Sequence, residues 1–444
     1  MKWQLSKMWA TVALLAISIS SLAYILNETW HISAGTVGPI SSYASSSFVQ
    51  FNKTYGEGHA YSVIQTKDGG FAIAGMGISN MANLIRTDAN GNLLWNKTYQ
   101  NIYNVGAVEQ TGDMGYAVLG SSGYNGHRAF AFLKTDSAGN IQWNKTYDIG
   151  VDNAASSFVL TSDGGYAIAG SADLSGTGQF DFCLVKTDSA GNIQWNKTYG
   201  VYNSNCMVYC FAKTKDGGYA LGGFAESAAW LVKTDSTGNA QWNETFSYQG
   251  AYVCYAISII QTNDGGYGLL GWASYGQAGT NSWFVRTDSN DKELWNKTFS
   301  QGVALVAASV IQTKDGGYVI SGSVNVAGTT GNSRFWLAKT DSSGDMQWNQ
   351  TYASGSSDAG DTCSCMVMTS DGGYALAGTM SYQKWDPAID DYVAGSDYWL
   401  VKTDSNGVVP EFPSIVVLLA ILAIATSTVI VHRKWARNTH LIPL

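Results

Sequence analysis

Four kinds of short apolar segment recur along the chain, separated by polar turns. The first is rich in β-branched residues, as in residues 61–66, and leads to Asp-Gly-Gly, whose glycines permit the positive φ of a tight hairpin turn. The second resembles residues 166–169 (Tyr-Ala-Ile-Ala), and the third resembles residues 398–402 (Tyr-Trp-Leu-Val-Lys). An Asp-Ser-x-Gly-Asn turn then leads to the fourth, which carries Trp and Asn-x-Thr. This pattern predicts four short β-strands, termed strands a, b, c and d.

The four-strand unit occurs seven times, at steps of 44 to 53 residues. The Trp-Asn-x-Thr segments begin at Phe51, Trp95, Trp143, Trp195, Trp242, Trp295 and Trp348. The Asp-Gly-Gly-aromatic turns begin at Asp68, Asp163, Asp216, Asp264, Asp315 and Asp371, with a degenerate copy around Asp113. Lys/Arg-Thr-Asp ends at Asp88, Asp136, Asp188, Asp235, Asp288, Asp341 and Asp404. A period of roughly 40–50 residues with four strands per repeat is typical of a β-propeller.

The phase of the repeats predicts how the propeller closes. The chain begins with a lone strand d at residues 48–55, and the last repeat stops after strand c at Asp404. Pairing these two fragments would remove an open sheet edge. We therefore predict an all-β fold, a single seven-bladed β-propeller of four-stranded blades over residues 47–405, closed by the N-terminal strand. The repeats resemble propeller repeats of archaeal surface proteins, whose ligands are mostly unassigned.

The N-terminus has the layout of a secretory signal. Lys2 and Lys7 precede an apolar run from Trp9 to Leu26. Small residues near the end of this run mark where cleavage could occur. Residues 1–26 are predicted to be a signal peptide or, since the run nearly reaches the length that spans a bilayer, an uncleaved signal anchor. Residues 27–46 are predicted to be a linker. Both alternatives export the middle of the chain.

A second apolar run lies near the C-terminus. Residues 414–431 carry no charge, and as a helix they would span about 27 Å, enough to cross a bilayer. The tail, residues 432–444, begins with His432, Arg433 and Lys434, and such basic clusters are expected on the cytoplasmic side. We predict a transmembrane helix at 414–431, a cytoplasmic tail, and a propeller displayed at the cell surface.

The linker before this run, residues 406–413, contains Pro410-Glu411-Phe412. This motif, followed by one apolar helix and a short basic tail, resembles the PEF-type C-terminal sorting signals of archaeal surface proteins. The resemblance implies recognition by an archaeosortase-like membrane enzyme that cuts near the motif. The tail is longer and more apolar than in that pattern, so a permanent single-pass anchor remains the alternative.

Composition excludes several functional classes. The net charge of −8 argues against nucleic-acid binding, which needs a basic patch. None of the five His lies at metal-ligand spacing from another, and the Asp and Asn of one turn supply too few oxygens for a calcium site. We therefore predict no metal and no cofactor.

The repeated Asn-x-Thr units match the N-glycosylation signal. Strand d should be the outermost strand of its blade, which would expose these residues at the rim. The alternative is that the repeat keeps Asn and Thr for structural reasons. The predicted glycosylation sites are Asn52, Asn96, Asn144, Asn196, Asn243, Asn296 and Asn349.

Six Cys in an exported chain suggest disulfide bonds. Cys206 and Cys254 both lie 13 residues before the hairpin Tyr of their repeats, so they occupy equivalent places in adjacent blades. A bridge between these two Cys is therefore predicted. Cys183 stands where other repeats carry an aromatic residue, and it is predicted to be a buried thiol.

The connections predict two different faces. The a–b and c–d hairpins are nearly uniform, whereas the b–c and d–a connections vary in length and content. The longest variable connection, residues 380–397, contains a predicted ligand-binding group that could stack on a sugar or bind a basic peptide. The alternative is a solvated insertion. The group consists of Trp385, Asp386, Asp390, Asp391 and Tyr392.

The sequence favours a binding or structural module over an enzyme. The ligand would be a glycan, a peptide or an envelope component, and the uniform face should lie toward the membrane. The alternative is an extracellular polysaccharide hydrolase or lyase, which would need two converging carboxylates. Glutamates are scarce in the repeats, and most Asp lie in turns, so the sequence shows no catalytic constellation.

Overall fold

The computed structural model describes residues 51–409, except 124–126, 202–203, 249, 277–278, 300–304, 326–332, 355–359 and 387–390. This part of the chain is all-β, with twenty-seven strands and no α-helix. The predicted signal segment (1–26), its linker (27–46), the Pro-Glu-Phe motif and the apolar run at 414–431 lie outside the described residues. Within the residues that are described, no helix is long and apolar enough to cross a membrane.

The strands form one seven-stranded sheet and five four-stranded sheets. The seven-stranded sheet has the order β25-β26-β27-β1-β2-β3-β4 and contains β1 (Phe51–Gln65), β2 (Phe71–Gly77), β3 (Ala82–Thr87), β4 (Leu93–Tyr99), β25 (Thr362–Met368), β26 (Tyr374–Asp386) and β27 (Asp391–Thr403). The next two sheets contain β5 (Tyr103–Gln110), β6 (Tyr116–Ser122), β7 (Ala129–Thr135) and β8 (Ile141–Tyr147), then β9 (Asp152–Leu160), β10 (Tyr166–Asp173), β11 (Asp181–Thr187) and β12 (Ile193–Tyr199).

The remaining three sheets follow the same order along the chain. They contain β13 (Cys206–Lys213), β14 (Tyr219–Ala225), β15 (Ala228–Thr234) and β16 (Ala240–Phe246), then β17 (Val253–Gln261), β18 (Tyr267–Ser274), β19 (Thr280–Thr287) and β20 (Glu293–Phe299), then β21 (Leu305–Gln312), β22 (Tyr318–Asn325), β23 (Ser333–Thr340) and β24 (Met346–Tyr352). Each is an antiparallel meander, as the four-strand repeat predicts.

The Asp-Gly-Gly turns form as predicted. In the turn between β9 and β10, Gly164 donates its N–H to the Thr161 carbonyl at 3.0 Å and has a φ of +78°. Glycine adopts this left-handed conformation at little cost. In the degenerate repeat Met114 takes the glycine position with a φ of +67°, and its N–H makes the same bond to Thr111. The turn geometry is therefore kept where the sequence motif is not.

Repeated aromatic residues join neighbouring sheets. Trp143 of β8 packs edge-on against Tyr166 of β10 in the next sheet, with ring centroids 6.0 Å apart. Such edge-to-face pairs are favourable and bury large apolar areas. These repeated residues therefore hold neighbouring sheets together. The same contact recurs in Trp95–Tyr116, Trp242–Tyr267 and Trp295–Tyr318.

The first strands of successive repeats pack against one another in cyclic order. Strand β1 contacts β5, and the series continues through β9, β13, β17, β21 and β25, which contacts β1 again. Apolar clusters fill the spaces between adjacent sheets. This arrangement of repeated four-stranded sheets is that of a β-propeller.

Strand β1 closes the ring and also opens the first repeat. Its first part pairs with β27, from Phe51 opposite Lys402 to Thr54 opposite Trp399, and its second part pairs with β2. The predicted pairing of the two chain ends is thus present. The sequence predicted two separate strands here, but the structure has one strand of 15 residues. Gly56, with a φ of +86°, lies at the register shift between Thr54 and Glu57 in the pairing with β27, and Gly58, with a φ of +147°, begins the pairing with β2.

Candidate functional site

The end of the sheets that carries the a–b and c–d hairpins is termed the uniform face. In each repeat the Asp of the a–b turn pairs with the Lys or Arg two residues before the c–d turn. Lys186, for example, lies 2.7 Å from Asp163, and this hydrogen bond lowers the pKa of the Asp163 carboxyl. The seven pairs are Asp68–Arg86, Asp113–Lys134, Asp163–Lys186, Asp216–Lys233, Asp264–Arg286, Asp315–Lys339 and Asp371–Lys402.

The c–d turns also use their carboxylates internally. Asp188 accepts hydrogen bonds from the N–H groups of Ala190 and Asn192, at 2.9 and 2.8 Å, and these bonds lower the pKa of its carboxyl. Tyr147 of the preceding sheet donates its hydroxyl proton to the Gly191 carbonyl of this turn at 2.8 Å. In the described residues no group of His, Cys, Asp or Glu could hold a metal ion. The uniform face is thus occupied by structural interactions.

The opposite end of the sheets is termed the variable face. Its longest connection is not a loop, as the sequence predicted, but a β-ribbon formed by the extended ends of β26 and β27. The backbones of Trp385 and Tyr392 are paired across the ribbon, as are those of Asp386 and Asp391. Asp390, the fifth predicted ligand-binding residue, lies outside the described residues.

The shortest connection at the variable face consists of Glu226 and Ser227, between β14 and β15. Just before it stands Phe224, one residue after a glycine that recurs in strand b. In some other repeats the equivalent residue is a serine. Ser171 and Ser323 accept hydrogen bonds from the N–H groups of Val208 and Cys363 in the next sheet, at 2.8 and 2.9 Å. An aromatic residue cannot accept that bond. The corresponding residue of β18 is also aromatic, Trp272.

Phe224 and Trp272 belong to a cluster of four aromatic rings, which is termed the aromatic patch. The other two rings are those of Tyr209 and Tyr255. Tyr255 stacks on Trp272 at 4.2 Å, and Tyr209 stacks on Phe224 at 6.1 Å. Phe224 and Tyr255 join the two pairs at 5.0 Å, across neighbouring sheets. Tyr209 is 41% exposed, and the other three are half-buried. The patch therefore presents aromatic surface to solvent over two sheets.

Two carboxylates at the variable face, those of Asp181 and Asp397, differ from the a–b turn carboxylates of the uniform face, whereas Asp152 and Asp173 at the variable face have lowered pKa values. Burial and the neighbouring Asp173 raise the pKa of Asp181, and burial and the neighbouring Glu57 raise the pKa of Asp397. The Asp of every a–b turn, by contrast, has a lowered pKa. Like charges without a cation close by disfavour ionisation. Such groups are often found at binding sites.

The ring closure brings together polar residues that are far apart in the sequence. Glu57 lies directly opposite Asp397 in the pairing of β1 with β27. Next to them, the His59 Nε2 lies 3.3 Å from the Ser396 hydroxyl, and its Nδ1 lies 3.1 Å from the Thr379 hydroxyl. In a serine hydrolase a carboxylate holds Nδ1 and fixes the tautomer. Here a hydroxyl takes that place.

The predicted disulfide bond is wrong. All six Cys are unpaired, and Cys206 and Cys254 are buried in different apolar clusters. Because equivalent positions of adjacent repeats point in the same direction, the sheet between them separates the two thiols. Cys183 is a fully buried thiol, as predicted, and its burial raises its pKa to about 12.

The seven predicted glycosylation residues are all exposed on the last strand of a sheet or on the first part of β1. The Asn243 side-chain carbonyl accepts a hydrogen bond from the Trp230 indole N–H at 3.1 Å. This bond uses the oxygen of the Asn243 side chain and not its amide nitrogen. Their exposure agrees with the predicted position of strand d at the rim.

Comparison with known proteins supports the fold. No protein-family model and no curated protein matches the chain. The Pan2 WD40 domain of Neurospora crassa is similar in structure, with a TM-score of 0.51 and 10% identity over 82% of this chain and 98% of that chain. YCF48 bound to D1 peptide has a TM-score of 0.49, 10% identity and coverages of 82% and 99%. A Bacteroides caccae protein of unknown function has a TM-score of 0.41, 15% identity and coverages of 67% and 94%.

Proposed function

We propose that this chain is a seven-bladed β-propeller, anchored at the cell surface, that binds an extracellular ligand at its variable face without catalysing a reaction. The observation that carries the proposal is the contrast between the two faces. At the uniform face the Asp of every a–b turn is held in an ion pair, and the first Asp of every c–d turn accepts turn hydrogen bonds. At the variable face half-exposed rings and carboxylates with raised pKa values remain available to a ligand. The ligand is a glycan, a peptide or an envelope component.

The path of the chain supports the orientation. Strand β27 ends at Thr403, next to the uniform-face turn that starts at Asp404. Only residues 410–413 separate the last described residue, Val409, from the apolar run at 414–431. A few extended residues span under about 20 Å. The uniform face then lies toward the membrane and the variable face points outward, unless an archaeosortase-like enzyme releases the protein at Pro410-Glu411-Phe412.

Export and orientation can be tested by labelling intact cells. Glu226→Cys places a thiol at the variable face, and Ser236→Cys places one in an exposed uniform-face turn. We expect a small membrane-impermeant maleimide to label both variants, and a bulky polyethylene-glycol maleimide to label Glu226→Cys much faster. Both variants should react equally with the bulky reagent after solubilisation in detergent. Failure of the small reagent on intact cells would contradict export, and equal bulky labelling would contradict the orientation.

Ligand binding can be tested on glycan arrays and on envelope fractions, with the wild type and a Trp385→Ala, Asp390→Ala double variant. Trp385 lies on the ribbon, in β26, and Asp390 directly precedes β27 in the sequence. Loss of a specific signal in the double variant would assign binding to the ribbon. Binding that maps to the Asp-Gly-Gly hairpins instead would reject the variable face as the binding surface.

We further propose that several of the Asn-x-Thr residues carry glycans. All seven are exposed, and a glycan at the outer edge of a blade would not enter any interface between sheets. Intact-mass analysis of the native protein before and after chemical deglycosylation tests this. Unmodified peptides at all seven residues would leave only the structural role of Asn and Thr.

A polysaccharide hydrolase is the second candidate, and one observation favours it. Glu57 and Asp397 face each other across two paired strands, where opposite Cβ atoms lie about 5 Å apart, and the Tyr382 hydroxyl lies 3.4 Å from Asp397. Retaining glycosidases place two carboxylates about 5 Å apart, and one must be protonated. Release of reducing sugar that is lost in both Glu57→Gln and Asp397→Asn would support this function.

A further inference from the structure

We propose that the aromatic patch of Tyr209, Phe224, Tyr255 and Trp272 binds a basic, arginine-bearing peptide segment of a partner protein. This inference rests on the proposed binding function of the variable face and names its ligand. It starts from a departure within the repeat. Where other repeats use Ser to bond the next sheet, two adjacent sheets carry Phe224 and Trp272 and lose that bond. The core does not require these rings, because the equivalent residue is Ser or Thr in four of the other five repeats and Met76 in the fifth.

The patch is open to a partner. The connection that follows Phe224 is Glu226–Ser227, the shortest at this face, and Tyr209 itself is exposed. Tyr209 is an extra residue in its strand, at the register shift between Val208 and Cys210, and this keeps its ring 41% exposed. Large half-exposed aromatic side chains are typical of the residues that dominate binding energy at protein interfaces.

The excess of acidic residues at the variable face favours a positively charged ligand. Ten acidic residues and three Lys or Arg stand in the described connections at this face and in the strand residues that border them. One of the three cations, Arg128, is already paired with Asp152. The acidic residues are Glu57, Asp148, Asp152, Asp173, Asp181, Glu226, Asp361, Asp386, Asp391 and Asp397, and the basic residues are Arg128, Arg334 and Lys384.

Aromatic rings and carboxylates together fit a guanidinium group. A guanidinium stacks over aromatic faces through a cation–π contact, and carboxylates nearby pair with its N–H groups. Glu226, exposed and two residues from Phe224, is the nearest such carboxylate along the chain. A neutral sugar would use the rings but gain nothing from the acidic surroundings, and an anionic ligand would be repelled.

The test is a fluorescence-polarisation titration of the full-length protein in detergent. The probe is a fluorescein-labelled decapeptide of alternating Arg and Ser, and the matched probe has Gln in place of Arg. We expect the Arg peptide to bind and the Gln peptide to bind at least about tenfold more weakly. Affinity should fall with added salt, since pairing between exposed charges is screened.

Variants assign this binding to the patch. Tyr209→Ala and Trp272→Ala should each weaken binding of the Arg peptide about tenfold, and Glu226→Gln should weaken it several-fold and reduce its salt dependence. Tyr252→Ala is the matched control, because Tyr252 is a 75% exposed aromatic residue at the same face outside the patch. It should change the affinity less than twofold. Tyr209→Phe, which keeps the ring, should bind like the wild type and guards against loss of folding in the other variants.

Four outcomes would overturn the inference. Binding of the Arg peptide weaker than about 1 mM would do so, as would equal binding of the Gln peptide. Binding of cellohexaose that is lost in the same patch variants, without Arg-peptide binding, would make the patch a carbohydrate platform. If ligands bind only through Trp385 and Asp390, the proposed function stands and this inference fails.

Discussion

The side-chain nitrogen of Lys186 lies 2.7 Å from the carboxylate of Asp163 and so ties strand c of its sheet to the a–b turn. The two partners differ in exposure: the Lys186 side chain is 8% exposed, and that of Asp163 is 52% exposed. Lys186 also donates to the Thr187 carbonyl and to Gln194, at 2.8 and 3.0 Å. The ammonium is therefore the desolvated member of the pair, and removing either partner should have different consequences.

Asp163→Ala should destabilise the protein more than Lys186→Met. The first change leaves a buried ammonium without its counter-ion, which we expect to cost about 2 kcal/mol once solvent screening of the exposed carboxylate is allowed for. The second removes the buried charge and leaves a carboxylate that water can solvate, at a cost of about 1 kcal/mol or less. Urea denaturation of the two variants measures the difference. A larger loss for Lys186→Met would contradict the assignment of the buried member.

The a–b turn carboxylates predict acid sensitivity. Hydrogen bonds and ion pairs lower the pKa of Asp113 and of Asp315 to about 2, so each binds a proton less readily in the folded than in the unfolded state. The stability they contribute is present above the unfolded pKa of about 3.8 and is lost as pH falls toward 2. Melting temperature should therefore drop steeply below pH 4, and the Asp113→Asn, Asp315→Asn double variant should drop less between pH 4 and pH 2. An identical pH profile would refute this.

For Glu109 we expect the opposite dependence of stability on pH. It occupies a strand-a position that holds Ile64, Ile260 and Ile311 in other repeats, and burial raises its pKa to about 7. Folding is therefore favoured by protonation, and stability is lost as pH rises from about 4.5 through 7. Glu109→Gln should raise the free energy of unfolding at pH 8 by on the order of 2 kcal/mol and change it little at pH 4. Glu226→Gln, at an exposed residue, is the control and should show no such pH-dependent gain.

Much of the fold follows from local sequence. Asp-Gly-Gly fixes a left-handed residue at Gly164, and the repeat period fixes four strands per unit, so the turns and the pairing of the chain ends could be predicted. The fusion of two strands into β1 could not, because Gly56 and Gly58 also suit an ordinary loop. The predicted Cys206–Cys254 bond failed because equivalence in the repeat says which way a side chain points but not how far apart two sheets hold it.

The candidate site was only partly within reach of the sequence. The aromatic patch leaves a signal, since Phe224 and Trp272 replace the Ser or Thr that stands at this place in four of the other five repeats. The length of the 380–397 connection suggested a loop, and length alone does not distinguish a loop from a ribbon. Glu57 and Asp397 leave no signal, because their proximity depends on the register in which β1 meets β27.

Alanine substitutions at two glycines distinguish the cost of backbone strain from the cost of disturbed packing between sheets. Gly191 and Gly164 have similar φ, +75° and +78°, but a Cβ on Gly191 would lie 3.0 Å from the Trp143 ring, and one on Gly164 would meet nothing within 4 Å. Gly164→Ala should therefore cost about 1 kcal/mol from strain alone. Gly191→Ala should cost roughly 1–3 kcal/mol more, because Trp143 must move. Equal losses in thermal denaturation would show that the Trp–Gly contact does not hold the sheets together.

Deleting residues 47–55 should expose the edge of β27. Strand β27 would lose its partner from Phe51 to Thr54, and the Tyr55 hydroxyl would no longer bond the Gly91 carbonyl in the next repeat at 2.9 Å. Unpaired strand edges promote association between chains, so we expect aggregates in size-exclusion chromatography with light scattering. Deleting residues 38–46, an equal length of predicted linker, is the control and should leave the protein monodisperse. A synthetic peptide of residues 47–55, added during refolding, should restore soluble protein if edge pairing is the cause. A deletion variant that stays soluble and unfolds cooperatively would show that β1 is not needed to close the ring.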